Sequence, residues 1–289
     1  MKPLISYYGG KQRLAAKILQ HFPPHSVYVE PFAGGAALLF AKPVLPVTNA
    51  DHYRELLNDT SDLLINMYRV AIERRDEFAL KIQSTLFSQS DHRMAKAICK
   101  QPGEHSELDR AWAYYVAINF SFSHVLGEPW VMGLQGCNKL SNHHQKKLRL
   151  QSTLERLSCV AVSCEDAIRC IKRNDSPQTL FYCDPPYPGA RQGHYSGYTL
   201  EQWDELCDAL DNARGSYVLS NYAQPIEPKS AQQRIEIKAT MSARNKATVS
   251  AKTDYSRTEI LWVCDRSANA RQDLQPVLKK NRQLMLENW

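Results

Sequence analysis

Apolar residues recur every four positions at Leu14, Ile18 and Phe22, the spacing that turns one helical face toward a core. Val27-Tyr28-Val29 is a short β-branched and aromatic run that predicts a strand. Glu30-Pro31-Phe32-Ala33-Gly34-Gly35-Ala36 breaks it, and an apolar helix is expected over 37–41. Strand, glycine turn and helix open a βαβ unit. Asn58-Asp59-Thr60-Ser61-Asp62 is rich in helix-capping residues and precedes a helical pattern that runs through Tyr68.

From about 70 to 157 the pattern changes to helical stretches joined by polar linkers, with few clear strands. Residues 111–120 predict an apolar, aromatic helix, 121–138 a glycine- and proline-bearing loop or hairpin, and 144–157 a further helical run. Alternating α/β character returns at 158. Strands are expected at 159–163, 179–183 and 218–220, and late, antiparallel strands at 235–237 and 259–264. Thr199 with Gln202 forms a capping box ahead of a helix through Leu210, and 272–289 reads as a terminal helix. The predicted architecture is therefore α/β, with a helical subdomain at 70–157 inserted between the halves 1–69 and 158–289.

Composition narrows the class. The 289 residues are 43 % hydrophobic and 23 % charged, ordinary for a globular protein, and no apolar run approaches the roughly 20 residues of a membrane helix. The N-terminus has no signal-peptide character, so a cytoplasmic protein with no membrane partner is expected. Eight cysteines without a C-x-x-C pair suit reduced thiols, and the nine histidines form no zinc motif, so no metal is expected. The net charge of +6 is concentrated: 137–150 carries Lys139, Lys146, Lys147 and Arg149 with no acid, and 238–257 carries five cations against Asp254. Such clusters suit a polyanion, and equally two solvated faces.

The sharpest chemical feature is Asp184-Pro185-Pro186-Tyr187, directly after the 179–183 strand, where open α/β sheets bind ligands. It suits methylation of an exocyclic amine, a poor nucleophile whose lone pair is delocalised into its ring. An ionised Asp184 can only accept hydrogen bonds and takes one amine hydrogen; the Pro185 carbonyl takes the other. Two prolines preorganise that carbonyl. Tyr187 is expected to offer a flat face on which the base stacks.

Three motifs in order, Tyr7-Tyr8-Gly9-Gly10-Lys11, Glu30 to Ala36, and Asp184 to Tyr187, resemble the Dam-like DNA adenine-N6 methyltransferases of bacteria and phages over nearly the whole chain. The resemblance implies a Rossmann-like class I methyltransferase sheet with an inserted, mainly helical target-recognition subdomain. It implies S-adenosylmethionine as cofactor, held by Tyr7, Lys11, Glu30, Phe32, Gly34, Asp166 and Asp184. Two acids compete for the ribose; Asn58-Asp59-Thr60-Ser61-Asp62-Leu63 fits the family pattern better than Asp51, so Asp59 is chosen. Asp166 is equally readable as a helix N-cap. The implied reaction is direct transfer to a flipped adenine in double-stranded DNA, by a monomer that a cognate restriction endonuclease would accompany in a restriction-modification setting.

Residues 118–130 lack the asparagine-glycine-rich hairpin and flanking arginines of members that recognise GATC, so no such target is assigned. Asn119, Ser121, Ser123 and His124 are candidates to read base edges, Lys139 to hold phosphate, and Arg244, Lys246 and Lys252 to grip the backbone. Phe120, Phe122 and Trp130 are expected to pack the insert core. The rival readings are a cytosine-N4 or RNA-base methyltransferase and a DNA-binding protein without catalysis. A nicotinamide dehydrogenase would leave the Asp-Pro-Pro-Tyr motif unexplained.

Overall fold

Five strands run parallel in the computed structural model, which describes residues 1–7, 9–43, 54–132, 138–188, 198–240 and 256–270. They are β1 (Val27–Glu30), β2 (Arg54–Asn58), β3 (Val160–Ser163), β4 (Thr179–Cys183) and β5 (Ser216–Asn221). β6 (Gln233–Thr240) and β7 (Ser256–Cys264) complete a seven-stranded sheet of order β3-β2-β1-β4-β5-β7-β6. β7 is antiparallel to both its neighbours, as the late strands were expected to be. This is the Rossmann-like arrangement that the resemblance implied. The stretch holding Arg244, Lys246 and Lys252 and the helix expected over 272–289 lie outside the described residues.

Helices cover both faces. α1 (Ala15–Leu19), α2 (Ala37–Ala41) and α3 (Asp62–Glu73) follow the first motifs. The stretch 70–157, expected from the sequence to be an insert, contributes α4 (Arg75–Ser84), α5 (Gln89–Lys100), α6 (Glu107–Phe120), α7 (Lys139–Leu148) and α8 (Leu150–Leu157). α9 (Ala167–Arg173) and α10 (Leu200–Asp211) lie on the opposite face. Because both faces are covered, β4 and β5 are buried at every position rather than at alternate ones. On one face Leu39, Leu57 and Tyr182 share a core with Val70, Phe78, Trp112 and Leu154, so the insert's helices pack directly onto the sheet. On the other, Cys170, Trp203 and Leu210 pack with Trp262, the two indoles edge to face at 5.6 Å. The capping box at Thr199 and Gln202 opens α10 as expected. No helix among the described residues is long and apolar enough to cross a membrane.

β2 escaped the hydrophobic pattern because it carries Arg54 and Glu55 among its five residues. Glu55 is nonetheless 3 % exposed. Arg156 of α8 grips it with two hydrogen bonds, of 2.6 and 2.8 Å, and Lys42 adds a third at 3.2 Å. Arg156 also donates to the Leu39 carbonyl of α2 at 3.1 Å. One ion pair thus fastens the end of the insert to the sheet. Removing Arg156 leaves the buried Glu55 carboxylate with Lys42 still beside it, which puts the cost near the lower end of the about 3–5 kcal/mol for a broken buried pair. Arg156→Ala is expected to lower the unfolding free energy by that order, read as a shift of the urea midpoint; a shift equivalent to less than about 1 kcal/mol, the ceiling for a surface pair, would contradict the role.

Candidate active site

β1 and β4 are neighbours where the strand order reverses, so the loops that follow them open at the same end of the sheet. The β4 loop begins with Asp184, and the N-terminal segment delivers Lys11 to it from 173 residues away. Lys11 is 5 % exposed, and its Nζ donates to Asp184 Oδ1 at 2.6 Å and to the Tyr187 hydroxyl at 2.6 Å. The Tyr187 hydroxyl in turn donates to Glu259 Oε1 at 2.8 Å, as does Ser220 Oγ at 2.6 Å. Glu259 Oε1 also stands 3.5 Å from Lys11 Nζ. Pro185 is buried and Pro186 half-buried, while the Asp184 side chain keeps 20 % exposure.

Two carboxylates around one ammonium set the electrostatics. Burial raises the Asp184 carboxyl to about 6; Lys11 opposes the rise and Glu259 adds to it. Burial alone would lower the Lys11 ammonium, but Asp184 and Glu259 outweigh it, so Lys11 is held above its ordinary value and stays charged. Burial likewise pushes the Tyr187 hydroxyl well above the phenol range, so it remains a donor. Tyr222, just beyond β5, meets the Tyr187 ring edge-on at 4.4 Å. With the ring 8 % exposed, the open stacking face expected of Tyr187 is absent.

The β1 loop is built around Tyr7. Gly34 adopts a left-handed backbone, φ +44°, and a Cβ there would stand 3.1 Å from the Tyr7 ring; on Gly35 it would stand 2.9 Å from Tyr7 Cβ. Asp59, at the end of β2, accepts from Gly34 N at 3.0 Å and from Ser61 N at 3.0 Å, so both its oxygens brace backbone. Glu30 is 2 % exposed, and its Oε1 accepts from the Tyr28 hydroxyl and Leu39 N, both at 2.8 Å; burial raises it to about 8. Phe32 is half-buried, edge to face with Tyr198 at 6.3 Å. Asp166 caps α9 by accepting from Arg169 N at 3.0 Å, and it is exposed beside the end of β3.

Sequence comparison agrees with this arrangement. The family profile for D12 class N6 adenine-specific DNA methyltransferases matches residues 7–224, most of the chain. The chain belongs to that family. It is 23 % identical over 225 residues to the Retron Ec67 DNA adenine methylase of Escherichia coli, covering 73 % of each protein. It is 21 % identical over 227 residues to a DNA adenine methylase of Salmonella typhi, covering 73 % of this chain and 76 % of the relative. A solved rRNA methyltransferase, aviRa of Streptomyces viridochromogenes, aligns over 90 % of this chain and 87 % of its own at 14 % identity, with a TM-score of 0.34, too low to weigh.

In this D12-class methyltransferase most of the base-reading candidates in the insert face inward, which corrects the expectation. Asn119 accepts from Ser6 N at 3.1 Å and donates to the Leu4 carbonyl at 3.4 Å, so its amide anchors the N-terminal segment. Ser121 is fully buried and donates to the Ile118 carbonyl at 3.1 Å. Lys139 is 4 % exposed, and its Nζ donates to the Ser121 carbonyl at 2.9 Å and lies 3.0 Å from His124 Nε2. Burial, and then that ammonium, lower the His124 imidazole to about 3. Lys146 and Lys147 also donate to backbone carbonyls, of Leu4 and of Gln83 and Thr85. The basic stretch is therefore largely spent on the fold. Ser123 is half-buried. Phe120 packs on Phe87 at 4.6 Å and Trp130 on Phe87 at 5.8 Å, but Phe122 is 49 % exposed and does not join the core expected for it.

Glu259, Ser220 and Tyr222 were missed as site residues. The available signal was an acid at the head of the apolar run Ile260-Leu261-Trp262, since a carboxylate buried in a strand requires a partner. The pairing makes a testable statement about Asp184. Lys11 holds its proton affinity down, so Lys11→Met is expected to move the Asp184 titration above about 6, followed by carbon-13 resonance of the labelled carboxyl. An unchanged or lower value would contradict the ion pair.

Proposed function

We propose that this enzyme transfers a methyl group from S-adenosylmethionine to the N6 amine of an adenine flipped out of double-stranded DNA. The observation that carries the reading is Asp184: one carboxylate oxygen is fixed by Lys11, while the side chain stays open enough to meet a substrate.

The site suits the cofactor on its own chemistry. Asp184 and Glu259 outnumber Lys11 at the carboxyl end of β4, an acid excess complementary to a sulfonium cation. Tyr7, Phe32 and Gly34 of the N-terminal segment and β1 loop, with Asp59 and Asp166 after β2 and β3, would line its binding cleft. S-adenosylmethionine supplies an electrophilic methyl group when bound. Asp184 and the Pro185 carbonyl accept the two amine hydrogens and draw the nitrogen lone pair out of the ring. The methylated nitrogen must lose a proton, and the raised proton affinity of Asp184 fits it to receive one. Pro185 and Pro186 limit the motion of the acceptors, so much of the rate enhancement comes from positioning.

Residues 70–157 are the proposed target-recognition subdomain between the catalytic halves 1–69 and 158–289. Within it Ser123 keeps the base-reading role proposed from the sequence. Arg244, Lys246 and Lys252 are proposed to contact phosphate.

Asp184→Ala is expected to lower methyl transfer at least about 100-fold while duplex-DNA affinity stays within about threefold, because a preorganised acceptor acts mainly in the transition state. Incorporation of labelled methyl and a binding titration check both halves; retained turnover overturns the assignment. Arg244→Ala with Lys246→Ala should weaken DNA binding and reduce its logarithmic salt slope by about 2. If affinity and slope are both unchanged, the two cations sit on a solvated face.

A further inference from the structure

The buried carboxylate of Glu259 lies beneath the Asp-Pro-Pro-Tyr loop, on β7, and the proposed chemistry assigns it no role. We propose that Glu259 is a positioning residue for methyl transfer, orienting the Tyr187 hydroxyl and the Lys11 ammonium so that Lys11 is directed at Asp184 Oδ1. The proposal rests on the adenine-methylating reading of this site.

The geometry follows from counting protons. A tyrosine hydroxyl has one hydrogen to donate and lone pairs to accept with. Glu259 Oε1 takes the Tyr187 hydrogen at 2.8 Å, which turns a lone pair of the same oxygen toward Lys11 Nζ at 2.6 Å. Lys11, with Tyr187 on one side and Glu259 at 3.5 Å, places a further hydrogen on Asp184 Oδ1 at 2.6 Å. Ser220 Oγ fixes the Glu259 carboxylate from β5 at 2.6 Å. Without a charged acceptor at 259, the Tyr187 hydrogen is free to turn toward Asp184 and compete with Lys11. Packing alone gives no reason for the residue: at 4 % exposure a carboxylate is costly to bury, and an apolar side chain would fill the strand at lower cost.

The groups around Glu259 define what its charge can do. Lys11, Asp184 and Tyr187 face it from the site, Ser220 from β5 and Tyr182 from β4, while Tyr222 borders Tyr187. β6 sets Ile237 opposite it, with Lys238 one position along. Glu30 of β1 and Asp184 also influence each other. Among the described residues Lys11 is the cation in hydrogen-bonded contact with this network, so neutralising Glu259 leaves Asp184 as the carboxylate paired with the ammonium. Asp184 is then easier to ionise, and its titration moves down in pH.

Glu259→Gln keeps the shape and an acceptor oxygen but removes the charge. The expected result is a fall in kcat of about 10- to 100-fold, as for a misplaced reacting group, with KM for duplex DNA and for S-adenosylmethionine within about twofold. The acid limb of the kcat–pH profile should move to lower pH. Glu259→Asp retains the charge and should return that limb toward its original position. Loss of rate that merely follows a lowered unfolding midpoint, with the acid limb unmoved, overturns the proposal, as does unchanged kcat. Carbon-13 titration of Asp184 in Glu259→Gln separates this from the reading beneath it. If the parent enzyme failed to methylate adenine, a downward shift would still support the positioning role, and no shift would reject it.

Discussion

The ammonium of Lys11 ties the N-terminal segment to the loop after β4 through a 2.6 Å contact with Asp184. Much of the architecture makes that contact available. Asn119 of α6 holds Ser6 and Leu4, which sets the segment's path toward the sheet. Tyr7 then packs over Gly34 and Gly35, so the first motif and the β1 loop determine each other's shape. Parallel pairing of β1 and β4 brings their two loops to one end of the sheet. The contact is strong because it is buried, and it is tolerable because each partner has further hydrogen bonds or charge around it.

The same physics explains the division of labour among acids. Glu30 and Glu55 are buried acids that support structure: one receives Tyr28 and the α2 backbone, the other Arg156 and Lys42. Asp59 braces the glycine loop, and Asp166 starts a helix. Asp184 differs in having one oxygen fixed by a buried ammonium while the side chain keeps access to solvent. The buried Lys11 on one side and solvent on the other, more than the presence of an acid after a strand, suit Asp184 to meet the reacting amine.

Much of this was legible in the sequence where a local rule governed. The β1 turn, the α10 capping box and the Asp-Pro-Pro-Tyr motif after β4 needed only periodicity, capping chemistry and motif order. β2 was hidden because Glu55 looks like a surface residue until Arg156, 101 positions away, is brought beside it. Glu259 was hidden for a similar reason: its partners come from the N-terminus, the β4 loop and β5. The insert misled in the other direction. Polar Asn119, Ser121 and Lys139 suggest an outward face, but buried backbone carbonyls and amides at Leu4, Ser6, Ile118 and Ser121 claim them. Charge and polarity report which bonds a side chain can make, and folding decides whether the partner is the chain itself.

An anchored, accessible Asp184 is proposed to ready adenine N6 of duplex DNA for methylation. Single-molecule sequencing of DNA from cells expressing the wild-type chain, read for modified bases, is the deciding measurement. N6-methyladenine is the expected product, and its concentration in one short motif would add that the insert reads sequence. Methylcytosine in place of methyladenine, or DNA without modification, would contradict it.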